Sequence, residues 1–198
     1  YMYNKTLFEE AGLDPEQPPT TWEELMTAGK AVLDKTGKPG YDLFTQAGDN
    51  GEGLTWNFQV NLWQAGGEFL TEDNSAAAFN TPEGEKALQF WVDLIESGVS
   101  PYAKWGEFEK GQGGSAQEGS WMVGIWAADP PFDFGVGKAP YPSDGVPATN
   151  LGGEQAHNVN AVARHPEGKV QAQNVEVRQK PDAAGDGQHA DEKHRHGK

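Results

Sequence analysis

Cysteine is absent from this chain of 198 residues. That excludes disulfides, thiolate zinc sites and cysteine nucleophiles, and it leaves the redox compartment open. Basic residues are scarce: 15 Lys and Arg stand against 30 Asp and Glu, for a formal net charge of −15. Binding a phosphate backbone requires a basic patch, so nucleic acid and anionic membrane surfaces are not expected partners. No apolar run approaches the ~20 residues that span a bilayer, and no secretory signal pattern is present. The chain opens on YMYNK rather than on Met, which reads as a strand end and predicts further chain upstream. All five His lie after Asn150, so the preceding body holds no imidazole to act as a base.

What is present is unevenly spread. All seven Trp fall between Trp22 and Trp126, and after Leu151 there is no Leu, Ile, Phe, Met, Trp or Tyr. A core-forming body is therefore followed by a segment that cannot bury enough apolar surface for a core of its own. Three helices carry clear signals. Asn4 caps a short helix through Leu7 and Phe8 that stops at Gly12. Thr21 and Glu24 have capping-box spacing ahead of a face formed by Trp22, Leu25, Met26, Gly29 and Leu33, and Gly37 ends that helix. Thr81 caps a third, with Pro82 at its first position and a predicted stripe of Leu88, Trp91, Val92 and Ile95. The spacing of Trp56, Val60 and Trp63 before Gly66 predicts another helix.

Between these lie strand candidates in GYDLFTQ, WMVGIWA and FDFGVGKAPYP. The stretch from Gly106 to Gly119 is Gly- and Glu-rich, with little pattern. The mixture of helices and short strands predicts an α/β or α+β fold, with no internal repeat and no heptad. From Gly168 the residues read as a disordered polar tail.

GSWMVGIWAADP raises a sharper question. Trp121 and Trp126 are five residues apart, a spacing that suits neither a helical step nor a strand face. Core filling is one answer; a flat surface for a ligand is the other. A sugar has polar edges and apolar C–H faces, so its site combines an aromatic plane with hydrogen-bonding groups. The apolar run favours a core role for Trp121.

Several stretches together resemble a known family. YMYNKTLFEEAGLDPEQPPTTWEEL, FNTPEGEKALQFWVDLIESGVSP, GIWAAD, FGVGKAPYP and LGGE occur in the order found in family 1 extracellular solute-binding proteins of ABC transporters, the sugar-binding relatives of maltose-binding protein. The resemblance runs from about Tyr1 to Glu167. It implies an α/β, periplasmic-binding-protein-like fold of two lobes closing about a hinge, with mostly the C-terminal lobe present. The expected organisation is a ligand-binding region over 1–139, a hinge return and Gly-Gly turn over 140–167, and the tail over 168–198. Family members usually continue into apolar helices after the equivalent of RHPEG, and this sequence departs there.

The implied function is capture of an oligosaccharide or glycoside and its delivery to permease subunits, by a monomeric protein that is periplasmic or lipid-anchored outside the cell. No cofactor and no metal are implied. The resemblance makes Trp126, in the Gly124–Trp126 motif, the first choice for stacking on the sugar. Gly124 would allow close backbone approach. Trp56 is the second aromatic. Gly152 and Gly153 offer backbone N–H groups, and Glu154, Asp129 and Asn57 are polar contacts. For each, the bland alternative is a core ring, an ordinary turn or a solvated surface group. Trp22, Trp63 and Trp91 read as core, and Trp105 has no clear place.

Two other readings stand beside this one. Glu107, Glu109 and Glu118 are carboxylates that a secreted carbohydrate-active hydrolase could use, but sequence spacing does not place two of them across a cleft. An incomplete binding-protein fragment, inactive alone, is the other. His189, His194 and His196 cluster in the tail, where adventitious metal binding is the expected behaviour.

Overall fold

The computed structural model describes residues 1–43, 52–101 and 107–148. The chain starts in β1 (Met2–Asn4) and turns directly into α1 (Lys5–Glu10). Asn4 makes that turn: its side chain accepts the Leu7 N–H at 3.1 Å, satisfying one of the helix's orphan donors. Then come α2 (Trp22–Thr36), α3 (Glu52–Gln64) and α4 (Pro82–Glu96). A 3-10 turn at Phe108–Lys110, β2 (Ser115–Ala116), α5 (Trp121–Ala128) and β3 (Phe134–Val136) follow.

The sheet order is β2-β1-β3, and both neighbours run antiparallel to β1. Side chains of β1 alternate between its faces, as a period of two requires. Tyr1 and Tyr3 enter a core made with α1, α2 and α4, whereas Met2 enters a second core with Ala116, Phe108, Met122 and Trp126. The sheet is thus covered by helices on both faces. Tyr3 lies across Gly135 on the neighbouring strand, where a Cβ would overlap its ring.

The capping box of α2 is present as the spacing predicts. Thr21 Oγ1 accepts the Glu24 N–H at 3.1 Å, and a Glu24 carboxylate oxygen accepts the Thr21 N–H at 3.2 Å and the Thr20 N–H at 2.7 Å. These bonds, the Thr20 backbone bond foremost, hold the Glu24 carboxyl below its ordinary value. A depressed carboxyl stabilises the fold above its unfolded pKa, and the contribution is lost as pH falls below 4.5 through the lowered folded value. Gln at this position keeps an acceptor but does not titrate. The melting-temperature advantage of the native chain over Glu24→Gln should therefore be present at neutral pH and shrink on acidification. A pH-independent difference between the two melting curves would contradict this.

The sequence places two helical faces slightly off their true positions. On α2 the buried residues are Trp22, Leu25, Ala28, Gly29 and Val32, with Met26 and Leu33 only half-buried. Gly29 lets the chain at Gly40 pass so close that a Cβ on Gly40 would overlap the Gly29 backbone. On α4 the buried set is Gly84, Ala87, Phe90, Trp91 and Leu94, and Leu88 is exposed. Small residues decide this: Gly84 and Ala87 allow close packing, which a stripe drawn through the largest apolar residues overlooks.

Two further departures concern strands. The run from Trp121 to Ala128 is a helix, not a strand. Both edges of β1 are already paired with β2 and β3, and eight consecutive helical residues bring Met122 and Trp126 onto one buried face at i and i+4. A short apolar run has no periodicity to separate the two possibilities. In GYDLFTQ the structure gives Asp42 a single bridge to Ala116, and residues beyond Leu43 in that stretch lie outside the described set. Conversely, the patternless Gly-rich stretch supplies β2.

Candidate functional site

Five residues along a helix correspond to a rotation of about 140° between side chains. Trp121 and Trp126 therefore leave α5 in different directions. Trp126 points inward and is 3% exposed. Its ring centroid lies 5.4 Å from Phe108 and 5.5 Å from Phe134, the latter edge-on at 81°. Trp121 is 50% exposed and Ile125, one turn on, is 58% exposed. The apolar run around Trp121 points to a core role; the structure places it on the surface. The sequence contains a signal for this that the resemblance passed over, since Gly-X-Trp occurs twice, at Gly119–Trp121 and at Gly124–Trp126.

Trp56 stands beside Trp121. Their centroids are 6.1 Å apart and the ring planes are inclined by 58°. Trp56 comes from the start of α3, half-buried. Its helix is fixed at the other end by a buried polar network. Gln64 Oε1 accepts from Trp22 Nε1 at 3.2 Å and from Asn61 Nδ2 at 3.0 Å, while Gln64 Nε2 donates to the Ala148 carbonyl at 3.1 Å. Asn61 Oδ1 accepts from Trp91 Nε1 at 2.7 Å. Gln64 lies eight residues from Trp56, about 12 Å along the helix axis, so α2 and α4 hold the element that presents Trp56.

The segment between β2 and α5 carries one carboxylate, Glu118. Glu118 Oε2 accepts the Gly119 N–H at 3.3 Å. Burial, followed by the Asp42 and Glu118 carboxylates, pushes the Tyr41 phenol well above its ordinary value. Asp42 is itself buried, with its N–H donating to the Ser115 carbonyl at 2.8 Å.

The remaining expected site residues are placed as follows. Gly124 is exposed on α5 with open space where a Cβ would stand. Asp129 is exposed at the end of that helix. Asn57 is half-buried beside Trp56 in sequence. Gly152, Gly153 and Glu154 lie outside the described residues, as do Trp105 and the His cluster. The structure thus brings Trp56 together with Trp121 and turns Trp126 away into the core. Among the carboxylates of the hydrolase reading, Glu107 forms an ion pair with Lys110 at 2.7 Å on the surface.

The sequence profile described as bacterial extracellular solute-binding protein matches residues 1–174. The chain belongs to that family. Among curated relatives, the solute-binding protein is 32% identical over 149 residues to the sn-glycerol-3-phosphate-binding periplasmic protein UgpB of Yersinia pestis, covering 72% of this chain and 33% of that one. Among solved structures, it is 74% identical to the cyclic alpha-maltosyl-1,6-maltose binding protein of Arthrobacter globiformis, with a TM-score of 0.72, covering 82% of this chain and 44% of the other. An ABC transporter solute-binding protein of Thermotoga lettingae bound with alpha-D-tagatose is 34% identical with a TM-score of 0.65, over 82% and 45%. The chain spans about a third of the curated relative and less than half of each solved one. The α/β, periplasmic-binding-protein-like fold read from the sequence is the fold observed.

Proposed function

We propose that this chain forms part of the substrate-binding component of an ABC import system and that its ligand is an α-linked oligosaccharide of the cyclic maltosyl-maltose kind. The exposed Trp121 beside Trp56 carries the reading. Two aromatic planes inclined to each other suit two sugar rings that are themselves inclined, as in a bent α-linked chain, better than a flat ribbon. The ligand is held between this aromatic wall and the other lobe of the two-lobed fold, and closure favours the form the permease recognises. Gly124 leaves room above α5, while Asn57 and Asp129 supply polar contacts at its margin. Trp126 serves by fixing α5 from beneath. The protein works outside the cytoplasm, lipid-anchored or periplasmic, as a monomer, and binds without catalysing a reaction.

The relatives named for glycerol 3-phosphate suggest a second reading, an anionic ligand. Glu118, three residues ahead of Trp121, favours a neutral polyol instead, because like charges close together repel and a carboxylate accepts hydroxyl hydrogen bonds. Titration of the folded chain with cyclic maltosyl-maltose, maltose and glycerol 3-phosphate, followed by tryptophan fluorescence, separates these. Saturable change with the sugars and none with the phosphate ester is expected. Trp121→Ala should weaken sugar binding about 30-fold, the loss of a ~2 kcal/mol contact. Saturation by the phosphate ester alone would transfer the assignment to the second reading. An unchanged sugar affinity in Trp121→Ala would remove Trp121 from the site.

A further inference from the structure

Trp121 is the first residue of α5, and its ring folds back over the chain two residues earlier. A Cβ built on Gly119 would overlap Cη2, Cζ2 and Cε2 of that ring. The Gly119 backbone itself is pinned, its N–H donating to Glu118 and its carbonyl accepting the Met122 N–H at 2.9 Å. Its φ lies outside the left-handed region, so the backbone there does not require glycine. The missing side chain is what matters: Gly119 is the floor on which the indole rests.

We propose that Gly119 is the positioning residue for Trp121, setting where its ring stands relative to Trp56 and thereby which shape of sugar the pair accepts. This rests on the reading that Trp121 meets the ligand. Any side chain at position 119 displaces the ring, because the ring has solvent on one side to move into while the backbone is held by its two hydrogen bonds. The effect falls on the angle between the two indoles and not on the fold.

The test uses Gly119→Ala alone and in a Trp121→Ala background. The exciton band that two neighbouring indoles give in far-ultraviolet circular dichroism reports the pair without any ligand, and Trp121→Phe identifies that band. Gly119→Ala should diminish the band, weaken cyclic maltosyl-maltose binding about tenfold, and leave the urea midpoint close to that of the native chain. In the Trp121→Ala background the same substitution should change neither affinity nor midpoint, as required of a residue acting through the ring. An intact band and unchanged affinity in Gly119→Ala overturn the proposal, as does an equal loss of stability in both backgrounds. If the band changes but no sugar binds the native chain, the positioning role holds and the ligand reading fails.

Discussion

Trp126→Ala is expected to lower the unfolding free energy by about 3–5 kcal/mol, the usual range for truncating a buried tryptophan. The ring is 3% exposed and is surrounded by Phe108, Phe132 and Phe134. Removing it leaves a cavity bounded by aromatic rings that are tied to different segments: the 3-10 turn, the loop after α5 and strand β3. Rigid walls cannot collapse inward easily, so both the transfer loss and the cavity contribute. With this cluster weakened, α5 has only Met122 and the half-buried Val123 on its inner side. Trp121→Ala, five residues away, should change stability by no more than about 0.5 kcal/mol, since its ring is half in solvent and its main neighbour is another ring. Urea denaturation of the two variants reads the contrast directly. Equal losses for both substitutions would mean that the two indoles share one environment, contrary to the geometry of α5.

This pair also shows where sequence reasoning stops. Caps and stops were legible because they depend on neighbours in the chain: Asn4 with Leu7, Thr21 with Glu24, Gly37 at the end of α2. The family was legible because five stretches kept their order. The direction of each tryptophan was not, because it depends on which secondary structure the run from Trp121 adopts. Read as a strand, WMVGIWA gives no reason to separate Trp121 from its apolar neighbours. Read as a helix, Met122 and Trp126 share one face while Trp121 and Ile125 share another. What settles the matter is that β1 has no free edge to offer, and this is a tertiary fact. The β2 strand was hidden for a related reason. Ser115 and Ala116 have weak strand preference, and they are strand because β1 pairs with them and Ala116 fits beneath Met2. The partner of Trp121 is half visible in the sequence: the resemblance points to Trp56, but for a site shared with Trp126.

Trp22→Ala should be as damaging as Trp126→Ala, about 3–5 kcal/mol, but for a partly different reason. Its indole lies almost parallel to Phe90, with centroids 4.2 Å apart and planes 4° apart, so it joins α2 to α4. Its Nε1 donates both to Gln64 Oε1 and to the Pro140 carbonyl at 3.1 Å, so it also joins α2 to α3 and to the segment following β3. Phenylalanine at position 22 separates the two roles, since it keeps a stacked ring but has no N–H. Trp22→Phe should lose about 1–3 kcal/mol, the usual penalty when a buried acceptor is left without its donor, with a share from the smaller ring. Gln64 would then retain Asn61 as a donor, whereas the Pro140 carbonyl would lose the indole. If α3 is held in place through Gln64, Trp22→Phe should also loosen Trp56, two turns away. The expected sign is a weaker Trp56–Trp121 exciton band at temperatures where the chain is still folded. Retention of the full band in a destabilised Trp22→Phe variant would show that α3 is located by its apolar contacts with α4, and that the polar network adds stability without setting the position of the aromatic wall.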